Sequence, residues 1–190
     1  MHKRQQDNQQ GFTMIEILVT MAIFVSAVSS LSAIFLYSNQ SQRKTQAIQQ
    51  TQSDSRFAME VIAQQVRKGS IDYASTQYGG TIASNPQDVL VLRDTADNQV
   101  WFRRNEVGGR GVIEMSENGT LWVELTPPDL SITLLKFYIS PSADPFIASP
   151  ATNQQPMVTI VMTSSNISIE GEGLPSVSTQ TTVTSRQYVR

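Results

Sequence analysis

The chain of 190 residues has no cysteine. Disulfides, thiolate nucleophiles, cysteine-bound zinc and iron–sulfur clusters are therefore excluded together. The one histidine, His2, lies in a polar N-terminal stretch, which leaves almost nothing for histidine acid–base chemistry or histidine metal sites. A strong charge of either sign is also missing, because the formal net charge is −2. Without a basic bias, nucleic acid is not an expected partner. No proline or glycine stands between Tyr37 and Lys68, so nothing in that stretch breaks a helix. No recognisable nucleophile or metal motif is found, so neither an enzyme nor a cofactor is expected.

The N-terminal region holds the strongest signal. Residues 1–11 are short and polar and carry Lys3 and Arg4. From Ile17 to Leu36 run twenty residues without a charge, fifteen of them apolar. As a helix this run rises roughly 30 Å, the thickness of a bilayer's hydrocarbon core. Lys3 and Arg4 place the N-terminus in the cytoplasm by the positive-inside rule. Glu16 is the only charged residue between Asp7 and Arg43. A carboxylate at the edge of a membrane helix costs a few kcal/mol and needs a reason.

The segment Gly11-Phe12-Thr13-Met14-Ile15-Glu16-Ile17-Leu18-Val19 resembles the type IV prepilin signal. A glycine is followed by phenylalanine, a glutamate stands fifth after the glycine, and a long apolar run continues. The resemblance implies cleavage between Gly11 and Phe12 by a prepilin peptidase, with methylation of the new Phe12 amino terminus. It also implies retention of the apolar helix, and pairing of Glu16 with the Phe12 α-amino group of a neighbouring subunit during assembly. Two rivals stand beside it. Glu16 of a plain single-pass anchor snorkels to the headgroups. A secretory signal could be cut near Ser26-Ala27 or Ser30-Leu31-Ser32, although Glu16 would then stand inside a hydrophobic region that is normally uncharged.

After Tyr37 the chain stays helix-compatible but becomes polar and glutamine-rich. Ile48, Phe57, Val61, Ile62 and Val66 recur mostly at three- and four-residue spacings, the pattern of a helix with one apolar stripe. Gly69 after Arg67 and Lys68 is a stop signal. Residues 12–68 are expected to form one helix of roughly 85 Å, the alternative being an anchor and a linker helix separated by a kink near Ser38–Ser41.

Strand signals follow: 89–92, 100–102, 111–115 and 121–125 around Asn118-Gly119, 132–139, 157–162, and a Thr/Ser-rich run from Val177 to Val189. Asn-Gly between two apolar runs is a hairpin signal. The fold class expected is α+β, a pilin-like long N-terminal helix packed on an antiparallel sheet head. Ile48, Phe57, Ile62 and Val66 are expected to meet Leu92, Phe102, Leu134 and Val161, with Phe57 and Trp101 or Trp122 the largest contributors. The division is a leader at 1–11, a transmembrane and assembly helix at 12–36, an amphipathic continuation at 37–69 and a β-rich head at 70–190.

Residues 54–67 and, more weakly, Thr181–Arg186 resemble W-type minor pilins and J-type minor pseudopilins. The resemblance implies a non-enzymatic minor subunit at the tip or start of a type IV pilus or type II secretion pseudopilus. Its implied partners are prepilin peptidase, other pilins or pseudopilins, and an inner-membrane assembly platform. The alternative is a membrane-anchored binding module, an adhesin or DNA-uptake component, that does not polymerise.

Weaker features are read as ordinary structure. Asp88, Asp94 and Asp97 are too unevenly spaced for a calcium loop. Gly108-Gly109-Arg110-Gly111 lacks the lysine and helix of a phosphate loop and is read as a turn. Arg103-Arg104 beside Trp101 and Phe102 fits an alternating strand as well as it fits nucleic acid. The triplets starting at Asn118 and Asn166 match a glycosylation pattern that arises often by chance.

Overall fold

A computed structural model describes residues 11–147, 154–167 and 176–185. The leader before Gly11, with His2, Lys3 and Arg4, and the end of the last expected strand from Arg186 to Val189 lie outside the described residues. The chain forms two compact units, Met1–Thr45 and Gln46–Arg190. The fold is α+β.

One helix, α1 (Met14–Lys68), is followed by β1 (Ser70–Ile71), β2 (Val89–Arg93), β3 (Gln99–Val107), β4 (Arg110–Glu117), β5 (Leu121–Glu124), β6 (Leu130–Ser140), β7 (Met157–Asn166) and β8 (Ser176–Thr184). α1 is helical throughout 38–41. It is long and apolar enough at its N-terminal end to cross a membrane. Within the first unit every described residue is exposed. The hydroxyls there are satisfied inside the helix: Thr20 bonds the Glu16 carbonyl at 2.9 Å, Ser26 that of Ala22 at 2.8 Å, and Ser30 that of Ser26 at 2.9 Å. Such back-bonding lets a polar side chain face hydrocarbon without an open donor.

In the second unit the strands form two antiparallel sheets rather than one. The order is β1-β2-β3-β4-β5 in the first and β6-β7-β8 in the second. The β3–β4 hairpin turns at Gly108 and Gly109, with φ of 60° and 79°. Only glycine adopts that backbone without cost. Asn118 and Gly119, with φ of 61° and 69°, turn the β4–β5 hairpin. The sheets are stitched where Gln87 and Phe137 exchange backbone hydrogen bonds of 2.7 and 2.9 Å. They also meet at Gly111, where a Cβ would lie 1.9 Å from the Ile132 carbonyl oxygen. Glycine is thus dictated there by the approach of β6, not by turn geometry.

One core joins α1 to both sheets. Its largest fully buried side chains include Phe102 from β3, Phe137 from β6, and Ile62 from α1. The helix presents mostly small residues to it: Ala47, Thr51, Ser55, Ala58, Met59, Ile62, Ala63 and Val66 are buried. Small side chains let the helix axis approach the strands closely. Ser55 and Ser164, both buried, hydrogen-bond through their hydroxyls at 2.6 Å, so each hydroxyl has a partner away from water.

Four expectations about the core need correction. Val161 lies on the half-buried face of β7, whose buried face carries Val158, Ile160 and Met162. Phe57 is 64 % exposed. At about 100° per residue it stands roughly 140° around the helix from Ile62, well off the buried face. Leu134 is 39 % exposed, because a register shift between Ile132 and Leu134 turns it outward. Burial along β6 falls on Leu130 and Ile132 before that irregularity and on Leu135, Phe137 and Ile139 after it. An extra residue in a strand exchanges the two faces. Trp101 and Trp122 are half-buried; the buried aromatics of the core are Phe102, Phe137, Tyr73 and Tyr78.

α1 ends where the chain must pass under β2. The Gly69 amide donates to the Gln65 carbonyl at 2.8 Å, and a Cβ on Gly69 would lie 2.4 Å from the Arg93 carbonyl oxygen. The Ser185 hydroxyl donates to the Gly69 carbonyl at 2.6 Å, which ties the end of β8 to the end of the helix.

Candidate functional site at the start of the helix

Thr13 caps α1. Its carbonyl accepts the amides of Glu16 at 3.1 Å and Ile17 at 3.2 Å, and its hydroxyl lies 3.4 Å from the Glu16 amide. Thr13-Met14-Ile15-Glu16 therefore has the Thr-x-x-Glu spacing of a capping box. The apolar run alone does not reveal Thr13; that spacing does. Glu16 falls in the first helical turn, where the helix dipole favours a negative charge.

Gly11 and Phe12 precede the helix and are exposed, Phe12 by 78 %. A Cβ on Gly11 would meet nothing within 4 Å. Space around Gly11 does not require a glycine, so its identity is open to a role outside the fold of this chain. Glu16 has no ion-pair partner among the described residues. The structure thus brings Gly11, Phe12, Thr13 and Glu16 together within two turns of chain, with Glu16 exposed and without an ion pair among the described residues. A cation from outside this molecule is the chemical complement of that arrangement when water is excluded.

The other candidates resolve into packing. Asp94 accepts the Ala96 amide at 2.8 Å and the Asn98 amide at 2.9 Å. The Asn98 amide first, and then that of Ala96, hold its carboxyl below the usual value. Asp97 pairs with Arg93 at 2.9 Å, while Asp88 pairs with Lys136. The three aspartates do not converge, and no acidic cluster able to hold a metal occurs among the described residues. Arg103 pairs with Glu114 at 2.9 Å and lies 3.6 Å over the Trp122 ring. Arg104 donates to the Ile132 carbonyl at 2.6 Å. Both guanidinium groups are thus engaged within the head. Asn118 forms a hairpin turn. Asn166 is buried, and Ser168 of its triplet lies outside the described residues.

Residues 6–32 match the family described as "Prokaryotic N-terminal methylation motif". No curated protein and no solved structure matches the chain. The motif supports a type IV pilin-like or pseudopilin-like precursor. It implies processing by a prepilin peptidase and membrane association with pilin assembly. With the apolar start of α1, it fits a membrane-anchored protein.

Proposed function

We propose that this chain is a non-enzymatic minor pilin or pseudopilin. In this reading it enters the inner membrane with its N-terminus in the cytoplasm and is cleaved between Gly11 and Phe12. It is methylated on Phe12 and then built into a type IV pilus or type II secretion pseudopilus as a tip or initiating subunit. Glu16 pairs with the Phe12 α-amino group of the adjacent subunit and sets the register between them. Other pilins or pseudopilins and an inner-membrane assembly platform are its partners.

The observation that carries the reading is Glu16. It is the only charge in a long apolar stretch, lies inside the matched methylation motif, and has no ion-pair partner among the described residues. Retaining such a group in a membrane helix is costly unless a neighbouring molecule neutralises it. The buried helical face at 58–66, packed on a two-sheet head, supplies the body that such a helix would carry.

Mass spectrometry of the protein purified from membranes tests the processing step. The expected terminus is N-methylated Phe12. Any other mature terminus removes the basis for pairing through Phe12. An intact Gly11–Phe12 bond in a functional protein favours the anchored binding module that does not polymerise.

A further inference from the structure

A cavity of about 410 Å³ opens on the head domain between β1 with the residues that follow it and residues 144–147. Its floor is Ile71 and Asp72, and its outer lip is Phe146 and Ile147. A second hollow of about 290 Å³ shares Tyr73, Ala74, Asp144 and Ile147 with it, so the two adjoin along these residues. Ile147 is 81 % exposed at that lip, while the floor beside it is buried.

Among the described residues the charges around the groove do not balance. Asp72, Asp97 and Asp144 line it with a single guanidinium, Arg93. Arg93 is already occupied twice, by Asp72 at 3.2 Å and Asp97 at 2.9 Å. Asp72 is buried and also accepts the Gln99 side-chain amide at 2.6 Å, so its own needs are met. Asp144 differs. One of its oxygens accepts the Phe146 amide at 2.9 Å, but no cation answers it among the described residues. Its charge is felt locally: the Tyr73 hydroxyl is held well above its usual value, by burial first and then by Asp144. Tyr73 donates to the Pro141 carbonyl at 2.9 Å and is not available to neutralise Asp144.

We propose that this groove binds a basic, partly apolar polypeptide segment of a partner protein, with an Arg or Lys head on Asp144 and an adjoining apolar side chain against Ile71, Phe146 and Ile147. The complement follows from the lining. Ile71, Phe146 and Ile147 take up aliphatic or aromatic surface, and a carboxylate at the edge with no cation among the described residues selects a cation and disfavours an acidic segment. A bare metal ion fits less well, because two of the three carboxylates are committed to Arg93 and no acidic cluster able to hold a metal occurs among the described residues. The proposal concerns the head alone and does not rest on the assembly reading.

The test uses the full chain in detergent and a fluorescent, end-capped peptide, Leu-Lys-Tyr-Arg, against its charge-reversed counterpart Leu-Glu-Tyr-Glu. Fluorescence polarisation at low salt is expected to show saturable binding of the basic peptide only. Asp144→Asn and Ile147→Ser are each expected to weaken it about tenfold, whereas Glu106→Gln, at an exposed carboxylate on β3, leaves it unchanged. Rising salt should weaken binding to the wild type more than to Asp144→Asn. Ile147 is exposed, so its replacement keeps the test decisive if Asp144→Asn disturbs the loop. Equal binding of both peptides overturns the proposal, as does indifference to both substitutions. Complete displacement of the peptide by calcium with unchanged affinity in Ile147→Ser overturns it in favour of a cation site.

Discussion

The two halves of α1 share one backbone and follow opposite rules. Up to Thr45 every described residue is exposed, large ones such as Leu18, Phe24 and Ile34 included. From Gln46 onward the buried face consists mainly of Ala, Ser, Thr and a few aliphatics, while the largest residue, Phe57, points outward. Hydrophobicity therefore does not predict burial along this helix. In the first half, apolar side chains serve surroundings that the single chain does not contain. In the second half, size decides. Small residues let the helix sit against the strands, and Ile62, Met59 and Val66 fill the gaps that remain.

This contrast can be broken at four places. The largest expected effect is on assembly. Glu16→Val should remove the protein almost entirely from sheared filament fractions. It should leave denaturant unfolding of the head unchanged. Normal incorporation would remove Glu16 from the subunit contact. Next, Ile62→Ala should destabilise the head by about 2–5 kcal/mol, read from its unfolding midpoint in detergent. Ile34→Ala, the same change in the other half, should have no effect on that transition. Equal effects at both positions would mean that the halves are not independent in their packing.

A smaller change is expected at the polar contact. Ser55→Ala leaves the buried Ser164 hydroxyl without its main partner and should cost about 1–2 kcal/mol. Ser55→Ala combined with Ser164→Ala should recover part of that loss, because neither hydroxyl is then stranded. A double variant as unstable as the sum of the singles would show that the hydroxyl pair is not coupled. The smallest effect is at Phe57. Phe57→Ser should shift the unfolding free energy by less than about 0.5 kcal/mol. A loss near 3 kcal/mol would put Phe57 back among the buried residues.

Much of the architecture is legible along the chain. The helix and its stop at Gly69 follow from the absence of breakers and the basic last turn. Both hairpins follow from glycine and asparagine pairs at their turns. The start of the candidate site is local too, since Gly11, Phe12 and Glu16 are recognised by their order, and Thr13 by its distance from Glu16. What is local in sequence is governed by backbone propensity and by short spacings, and these can be read without partners.

The division into two sheets, the outward turn of Leu134, the exposure of Phe57 and the groove at Asp144 belong to another level. Strand pairing depends on residues far apart, such as Gln87 with Phe137. A one-residue irregularity in β6 inverts its faces without leaving a mark in composition. Gly69 and Gly111 look like ordinary turn glycines, yet each is demanded by a carbonyl brought beside it from another strand. The amino-acid order settled which segments are helix or strand and where the lone acidic group stands, because those are matters of near neighbours. Which faces are covered, and which carboxylate is left without a cation, was settled only when distant segments came into contact and competed for the same space.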